Sequence, residues 1–180
     1  MRIVAGKYRA KQLFVPKGID VRPTLERTRE ALFSILYSKG IDFSQTKVLD
    51  VFAGTGAFGF EALSRGALKV TFVDKDVKPV LKNATLFEAE KSKINVVKAD
   101  ASCLPMFPDK YNLVFMDAPY NKGLTEKAIN SLIKNDLIAD GGLCLIETAK
   151  DEDVDFPDNF VFCDERIYAI AKIRFFYFKK

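Results

Sequence analysis

The sequence predicts an α/β protein built on one mostly parallel β-sheet. From residue 47 onward, short apolar runs typical of buried strands alternate with segments whose apolar residues recur at helical spacing. A glycine-rich loop follows the first long apolar run, and acidic residues follow several of the later ones. Strands that alternate with helices form right-handed βαβ units, which place the strands parallel to one another.

The elements before the glycine-rich loop are a hairpin, a helix and the first long strand. Residues 2–5 and 12–15 are predicted as two short strands that form a small β-hairpin. A helix begins near Thr24, because apolar residues follow it at a period of 3.6, and it ends at Gly40. The apolar run at 47–52 is predicted as the first buried strand.

The later elements continue the alternation and end in an antiparallel pair. Helices are predicted at 57–65, near 124–134 and from Asp76 onward, where Pro79 falls in the first turn and is tolerated. Buried strands are predicted at 69–73, 94–98, 112–116 and 143–146. The last two strands, 161–169 and 171–178, have almost no connection, so we expect them to pair antiparallel at one edge.

Composition limits the possible classes of protein. With 180 residues, 48% apolar and 29% charged, the chain fits one ordered domain and is not intrinsically disordered. It has no apolar run of the roughly 18 residues that span a bilayer, and no secretory signal is evident. Three widely spaced cysteines are typical of a reduced protein, so we expect it in the cytoplasm. The absence of histidine excludes histidine-based triads and nearly all zinc sites, and we expect no metal.

Positive charge is concentrated at the start of the chain. Residues 1–30 hold eight lysines and arginines against three acids, whereas the whole chain has a net charge of +4. Such a basic segment either binds a polyanion such as RNA or is a solvated face. We therefore expect a basic hairpin-and-helix extension over residues 1–40 and a catalytic core over residues 41–180, within one compact domain.

The glycine-rich loop predicts a binding site for an adenosine-type cofactor. Gly54, Gly56 and Gly59 form the pattern G-x-G-x-x-G between a strand and a helix, and Asp74 follows Gly54 by 20 residues. Asp50 stands at the mouth of the loop, where it would repel a pyrophosphate but attract the sulfonium and ammonium of S-adenosylmethionine. A dinucleotide domain with a substrate domain also rarely fits in 180 residues, so S-adenosylmethionine is favoured over NAD.

A turn of four residues after the strand at 112–116 predicts the catalytic centre. Asp117-Ala118-Pro119-Tyr120 is close to the D/N-P-P-Y/F turn of methyltransferases that act on exocyclic amines of bases. The Asp117 carboxylate and the Ala118 carbonyl can accept the amine N–H groups and aim its lone pair at a methyl carbon. Tyr120 can stack on an extruded base, and Pro119 stiffens the turn.

Several acids share one edge of the predicted sheet. Each lies at or just past the carboxyl end of a predicted strand, where ligands bind in open α/β sheets: Asp50, Asp74, Asp100, Asp117 and Glu147. One such acid alone is more often a turn or helix cap, but five beside the glycine loop indicate a site.

The ordered set of motifs resembles the RsmD family of bacterial 16S ribosomal RNA guanine-N2 methyltransferases. The matching segments are R-I-V-A-G-K from Arg2, R-P-T-x-x-R-x-R-E from Arg22, L-D-V-F-A-G-T-G from Leu49, and the turn at Asp117. The resemblance covers essentially the whole chain. It implies a Rossmann-like class I methyltransferase fold with a seven-stranded sheet, an antiparallel last strand and a small N-terminal β-hairpin extension.

The resemblance also implies roles for individual residues. Asp74 would bind the ribose hydroxyls and Asp100 would face the adenine amine. The expected cofactor contacts are Asp50, Phe52, Ala53, Gly54, Thr55, Gly56, Gly59, Asp74, Lys75, Asp100 and Ala101. The expected RNA contacts are Arg2, Lys7, Arg9, Lys11, Arg22, Arg27 and Arg29, although the arginines from Arg22 onward could instead grip the cofactor carboxylate. Ala118 stands where the family usually has proline; its carbonyl is retained, so we expect activity from a looser turn.

The resemblance alone implies the guanine target and the 16S RNA partner, which is either free or within an assembling small subunit. No feature of the sequence indicates an oligomer, so we expect a monomer. Three alternatives stay open. Adenine-N6 methylation of DNA uses a similar turn, but the chain has no evident DNA-recognition domain. An NAD-dependent oxidoreductase would rest on the glycine pattern alone, and a catalytically silent RNA-binding protein would have little reason to keep Gly54, Gly56 and Asp117.

Overall fold

A seven-stranded sheet forms the centre of the protein in a computed structural model that describes residues 1–17 and 23–180. The strands are β1 (Lys47–Val51), β2 (Lys69–Asp74), β3 (Ile94–Lys98), β4 (Tyr111–Asp117), β5 (Ile138–Ala149), β6 (Phe160–Tyr168) and β7 (Ala171–Phe178). Their order is β3-β2-β1-β4-β5-β7-β6. The first five are parallel, and β7 lies antiparallel to both β5 and β6. The predicted fold class, a mostly parallel sheet with an antiparallel last strand, is confirmed.

In the described ranges, four α-helices connect and cover the strands: α1 (Pro23–Ser38), α2 (Ala57–Ser64), α3 (Lys78–Ala84) and α4 (Leu124–Lys134). Short 3₁₀ segments lie at Phe43–Gln45, Thr85–Lys93 and Ala101–Cys103. None of the helices in the described part of the chain has the length and apolar character to cross a membrane.

Both faces of the sheet are buried, which explains why the strands appear as continuous apolar runs. Successive strand residues point to opposite faces. On β1, Val48 belongs to the apolar cluster that contains α1 and α2 residues, whereas Leu49 belongs to the cluster that contains α4 residues. On β4, Leu113 and Val114 divide in the same way. All four side chains are fully buried, so the sheet is fixed between two helical layers.

The N-terminal segment forms less strand than predicted. Its only ladder contact among the described residues is an isolated antiparallel bridge between Arg2 and Gln12. The reason is that α2 takes up the backbone donors of the segment: Glu61 accepts the N–H of Val4 at 2.7 Å and that of Ala5 at 3.0 Å. The two arms of the predicted hairpin still pair, through backbone hydrogen bonds from Ile3 to Lys11 at 3.0 Å and from Leu13 to Met1 at 2.9 Å, and Glu61 holds the chain just after the first arm.

Two element boundaries differ from the prediction. Strand β5 runs from Ile138 to Ala149, well beyond the predicted 143–146, because Ile138 still pairs with Tyr111 of β4 before a register shift. Helix α3 begins at Lys78, two residues after Asp76, whose carboxylate accepts the Lys78 N–H at 3.1 Å. Asp76 is thus a capping residue in front of the helix.

The predicted boundary at residue 40 does not separate two cores. Leu32, Phe33 and Leu36 of α1 are buried in the same apolar cluster as Val48 and Phe58. The N-terminal extension and the sheet therefore share one hydrophobic interior, and α1 forms one wall of the site described next.

Candidate active site

The glycine-rich loop turns sharply between β1 and α2. Phe52, Gly54 and Gly56 have φ angles of 60°, 54° and 75°, which are left-handed conformations. A Cβ atom on Gly56 would lie 2.5 Å from Cγ2 of Val80, so this position also requires glycine for space. Gly54 has open space at the same point, as expected where a ligand approaches the backbone.

Asp50 is buried beneath the loop. It is 2% exposed, and its Oδ2 accepts the N–H of Gly59 at 2.9 Å, in the first turn of α2. Burial, together with a smaller effect of the negative charge of Asp74, raises the pKa of Asp50 to about 8 against the lowering effect of that N–H. A carboxyl group in this position favours a cation as its neighbour, because a cation offsets the cost of ionising it.

Asp74 joins the ends of β2 and the glycine loop. Its Oδ2 accepts the N–H of Gly54 at 2.8 Å, and its Oδ1 accepts the N–H of Asp76 at 2.9 Å. Each carboxylate oxygen has a second lone pair. Asp74 is partly exposed on the pocket side, so it can accept two further hydrogen bonds, such as those from a pair of hydroxyl groups.

Asp100 caps the 3₁₀ segment Ala101–Cys103. Its Oδ1 accepts the N–H of Ser102 at 2.9 Å, and its Oδ2 lies 2.9 Å from Nζ of Lys75. The hydrogen bond from Lys75, followed by those from Ser102, lowers the pKa of Asp100 to about 2. The carboxylate therefore stays ionised and engaged with protein groups, beside the pocket wall formed by Ala99 and Ala101.

The predicted catalytic turn follows directly from β4. Asp117 is the last residue of the strand, Ala118 is 2% exposed, and Pro119 is exposed. Tyr120 is half-buried and donates its hydroxyl to Oε1 of Glu147 at 2.7 Å. This bond joins the turn to the neighbouring strand β5. Ala118 is packed against the protein interior, so the turn is held without the first proline of the D/N-P-P-Y/F pattern.

Asp117 and Glu147 form a pair of neighbouring carboxyl groups. The pKa of Asp117 is raised by burial, then by the negative charges of Glu147 and Asp50, and the pKa of Glu147 is raised by burial against the hydrogen bond from Tyr120. The surface of Asp117 that faces the pocket is nevertheless open to water. A bound base that donates its N–H groups to these carboxyl groups would favour their ionised form and oppose this rise in pKa.

Two cavities, of about 600 and 590 Å³, open at this edge of the sheet. Phe52, Asp117 and Tyr120 line both, so the cavities meet at the end of β4. The other predicted residues in the first cavity are Asp74, Lys75, Ala101, Ala118 and Pro119. The second contains Asp50, Ala53, Gly54 and Thr55. Gly56, Gly59 and Asp100 line neither cavity and support the loops around them.

The predicted RNA-binding residues divide into exposed and engaged groups. Arg9 and Arg27 are exposed, Arg2 is exposed and pairs with Glu26, and Arg22 lies outside the described residues. Two lysines contact the segment after α3: Nζ of Lys7 lies 2.5 Å from Glu90, and Nζ of Lys11 donates to the Leu86 carbonyl at 3.0 Å.

Arg29 departs from this exposed set. It is 6% exposed, its guanidinium donates to the backbone carbonyl of Arg2, and its Nε lies 3.5 Å from Glu61. The Nε itself is buried without a hydrogen bond. Because Arg29 lines the second cavity, its position suits a carboxylate ligand in the site better than an RNA phosphate on the surface.

The structure adds residues to the site that the motifs did not assign. Glu147, Phe58 and Phe115 line the second cavity, and the two phenyl rings stack with centroids 4.1 Å apart. The β6–β7 connection contributes Ala169 and Ile170 from the far end of the chain. Only Glu147 had a signal in the sequence, as an acid at the carboxyl end of a strand; the others come together through the fold.

The sheet order, the glycine loop over Asp50 and the turn that joins the two cavities define a methyltransferase with a Rossmann-like class I fold. A family model described as "Conserved hypothetical protein 95" matches residues 1–177, and the chain belongs to this family, the RsmD family.

Known proteins are similar over most of the chain. Ribosomal RNA small subunit methyltransferase D of Haemophilus influenzae is 34% identical over 182 residues, covering 98% of this chain and 93% of that protein. The protein of the same name from Escherichia coli K12 is 38% identical over 152 residues, covering 82% and 74%. The solved structure of yhhF from Escherichia coli is 33% identical with a TM-score of 0.85, covering 99% and 98%.

Proposed function

We propose that the protein transfers a methyl group from S-adenosylmethionine to the exocyclic N2 amine of a guanine in 16S ribosomal RNA. The observation that carries this proposal is the position of the Asp117–Tyr120 turn, which lies where the two cavities meet. A donor that extends from the first cavity into the second would pass this turn, and a base held at the turn would lie beside it. The names of the similar proteins from Haemophilus influenzae and Escherichia coli support ribosomal RNA of the small subunit as the substrate.

The residues around the cavities fit the proposed cofactor. Asp74 has free acceptor positions for the ribose hydroxyls, and the wall of the first cavity beside it is apolar enough for an adenine ring. Asp50 suits the cationic methionine portion, and the partly unpaired Arg29 suits its carboxylate. When bound, S-adenosylmethionine supplies an electrophilic methyl carbon on a good leaving group.

The chain's own groups then prepare the amine. An exocyclic amine of a base is a weak nucleophile, because its lone pair is delocalised into the ring. The carboxylate of Asp117 and the carbonyl of Ala118 accept its N–H groups and turn the lone pair toward the donor side. Tyr120, tied to Glu147, offers an aromatic face for an extruded base.

The RNA is expected to approach along the basic N-terminal surface. Arg9 and Arg27 are exposed, and Arg2 is exposed with one acidic partner, so all three are available for phosphate contacts. We expect the substrate to be 16S RNA, free or within a small subunit or its assembly intermediate, and the enzyme to act as a monomer in the cytoplasm.

The experiment that tests this proposal is transfer of labelled methyl from S-adenosylmethionine to three acceptors: naked 16S RNA, undermethylated small subunits and duplex DNA. The products are digested to nucleosides and identified. N2-methylguanosine from RNA or subunits is the expected result. N6-methyladenosine in DNA would retain the catalytic turn but overturn the acceptor, and saturable NAD binding without methyl transfer would overturn the reaction itself.

A further inference from the structure

We infer that Glu147 is a specificity-determining residue that recognises N1–H of the target guanine beside Asp117, and thereby excludes adenine and other bases with an acceptor at that position. This inference rests on the proposed function, because it concerns the base that the same site takes. It follows from the juxtaposition of two carboxylates that come from different strands and face one cavity.

The pairing of β4 with β5 places the two carboxylates side by side. Asp117 and Glu147 are register partners at the carboxyl ends of these parallel strands. Neighbouring strands lie about 4.8 Å apart, and register partners point to the same face of a sheet. Both residues line the cavity that also contains the stacked rings of Phe58 and Phe115, so both carboxylates are presented to the same ligand.

The carboxylate of Glu147 is held in place but keeps a free oxygen. Its Oε1 accepts the hydroxyl of Tyr120 at 2.7 Å, which restricts the rotation of the side chain. Within residues 1–17 and 23–180, no group donates a hydrogen bond to Oε2. Glu147 is half-buried and lines the second cavity, so a ligand in that cavity can donate a hydrogen bond to its carboxylate.

Two adjacent acceptors match guanine and no other common base. The Watson–Crick edge of guanine presents the N2 amine and N1–H next to each other, and both are donors. Adenine presents one amine beside the N1 lone pair, and cytosine presents one amine beside the N3 lone pair. A carboxylate that faces such a lone pair has no hydrogen-bond donor and is repelled by it. A site built to accept a hydrogen bond therefore discriminates strongly against a base that lacks the donor.

The same contact assists the reaction. A hydrogen bond from N1–H to a carboxylate increases electron density in the ring system that withdraws the N2 lone pair. The amine held by Asp117 therefore becomes a better nucleophile when Glu147 holds N1–H. Glu147 thus acts on recognition and rate together, which distinguishes it from a residue that only supports Tyr120.

The test compares RNAs that carry either guanosine or 2-aminopurine at the nucleotide found modified. 2-Aminopurine keeps the amine at C2 but has a lone pair at N1. We expect the wild type to prefer guanosine by about 100-fold in single-turnover methyl transfer. Glu147→Gln, which can donate its amide to that lone pair, should reduce the preference to about 10-fold or less. 2-Aminopurine also lacks the O6 atom of guanine. The effect of this loss is the same for the wild type and for Glu147→Gln, so it cancels when their preferences are compared.

Asp151→Asn is the matched control, since Asp151 is an exposed acid close to the end of β5 and outside the cavity lining. It should retain the wild-type preference. If Glu147→Gln keeps the wild-type preference for guanosine, the inference is overturned. It is also overturned if the wild-type enzyme methylates both RNAs equally, and this outcome does not depend on whether the variant folds. Absence of N2 methylation of guanosine by the wild type would instead overturn the proposed function, and the inference with it.

Discussion

Replacing Asp50 with asparagine should stabilise the protein, and increasingly so as the pH rises. Asp50 is buried and has a pKa of about 8, compared with 3.8 for an ordinary aspartate. Between these values the unfolded chain has released the proton while the folded protein keeps it, so stability falls as pH rises through this window. Below pH 4 both states are protonated and the cost vanishes; above pH 8 it is constant.

The size of the effect follows from the pKa difference. One pKa unit corresponds to about 1.36 kcal/mol, so three units between the ordinary value and pH 7 amount to about 4 kcal/mol. An asparagine does not titrate, and its side-chain oxygen can still accept the N–H of Gly59. The stability of Asp50→Asn relative to the wild type should therefore increase by about 2.7 kcal/mol from pH 5 to pH 7.

Urea unfolding at pH 5, 6 and 7 measures this difference, with Asp151→Asn as the control for removal of an exposed charge. A difference that stays constant with pH, or that reverses and favours the wild type at pH 7, would show that Asp50 is ionised in the folded protein. The carboxyl group of Asp50 should also release its proton to the buffer when a cation binds beside it. Calorimetric titration with S-adenosylmethionine in two buffers of different ionisation enthalpy should then show close to one proton released at pH 7, and none for Asp50→Asn.

Further predictions concern the catalytic turn, the glycine loop and the basic surface. Asp117→Ala should lower the methyl-transfer rate about 10- to 150-fold with S-adenosylmethionine binding retained in calorimetry, since one charged hydrogen bond to the amine is worth about 1.5–3 kcal/mol; full activity would contradict the assigned role. Gly56→Ala should cost about 2 kcal/mol more in urea unfolding than Gly40→Ala, because both have positive φ but only Gly56 meets a side chain at 2.5 Å. Arg27→Ala should weaken RNA binding and reduce by about one the slope of the logarithm of the binding constant against the logarithm of the salt concentration. Arg29 is buried, so Arg29→Ala should instead lower the free energy of unfolding by about 3 kcal/mol. Equal stability of these two arginine variants would contradict the burial argument.

The sheet was predictable because its signals are local. An apolar run followed by glycines and a helical period identifies a strand, a turn and a helix from neighbouring residues alone, and β1, the loop and α2 lie where these signals place them. The N-terminal hairpin was not predictable in the same way. The backbone donors of Val4 and Ala5 bind Glu61, a residue 57 positions after Val4, and no local pattern reports such a partner.

The site shows the same division between local motif and distant partner. The Asp117–Tyr120 turn and the spacing of the glycines could be found in the sequence, since the chemistry of each depends on consecutive residues. The burial of Arg29 could not be predicted from the sequence, because it depends on how α1 packs against Glu61 of α2. The side chain of Asp100 was expected at the adenine, but whether it also caps a 3₁₀ segment depends on the path of the chain after β3.

The sequence by itself determined the class of fold, the two loops that carry the chemistry and the acids that follow the strands, because each is encoded by residues a few positions apart. Only the tertiary structure decided which of these acids meet. Strand β5 pairs with β4 in the register that sets Glu147 beside Asp117. Strand β7 lies between β5 and β6, and the β6–β7 connection reaches the cavity. Register and strand order arise from burying both faces of the sheet at once, and that condition involves the whole chain.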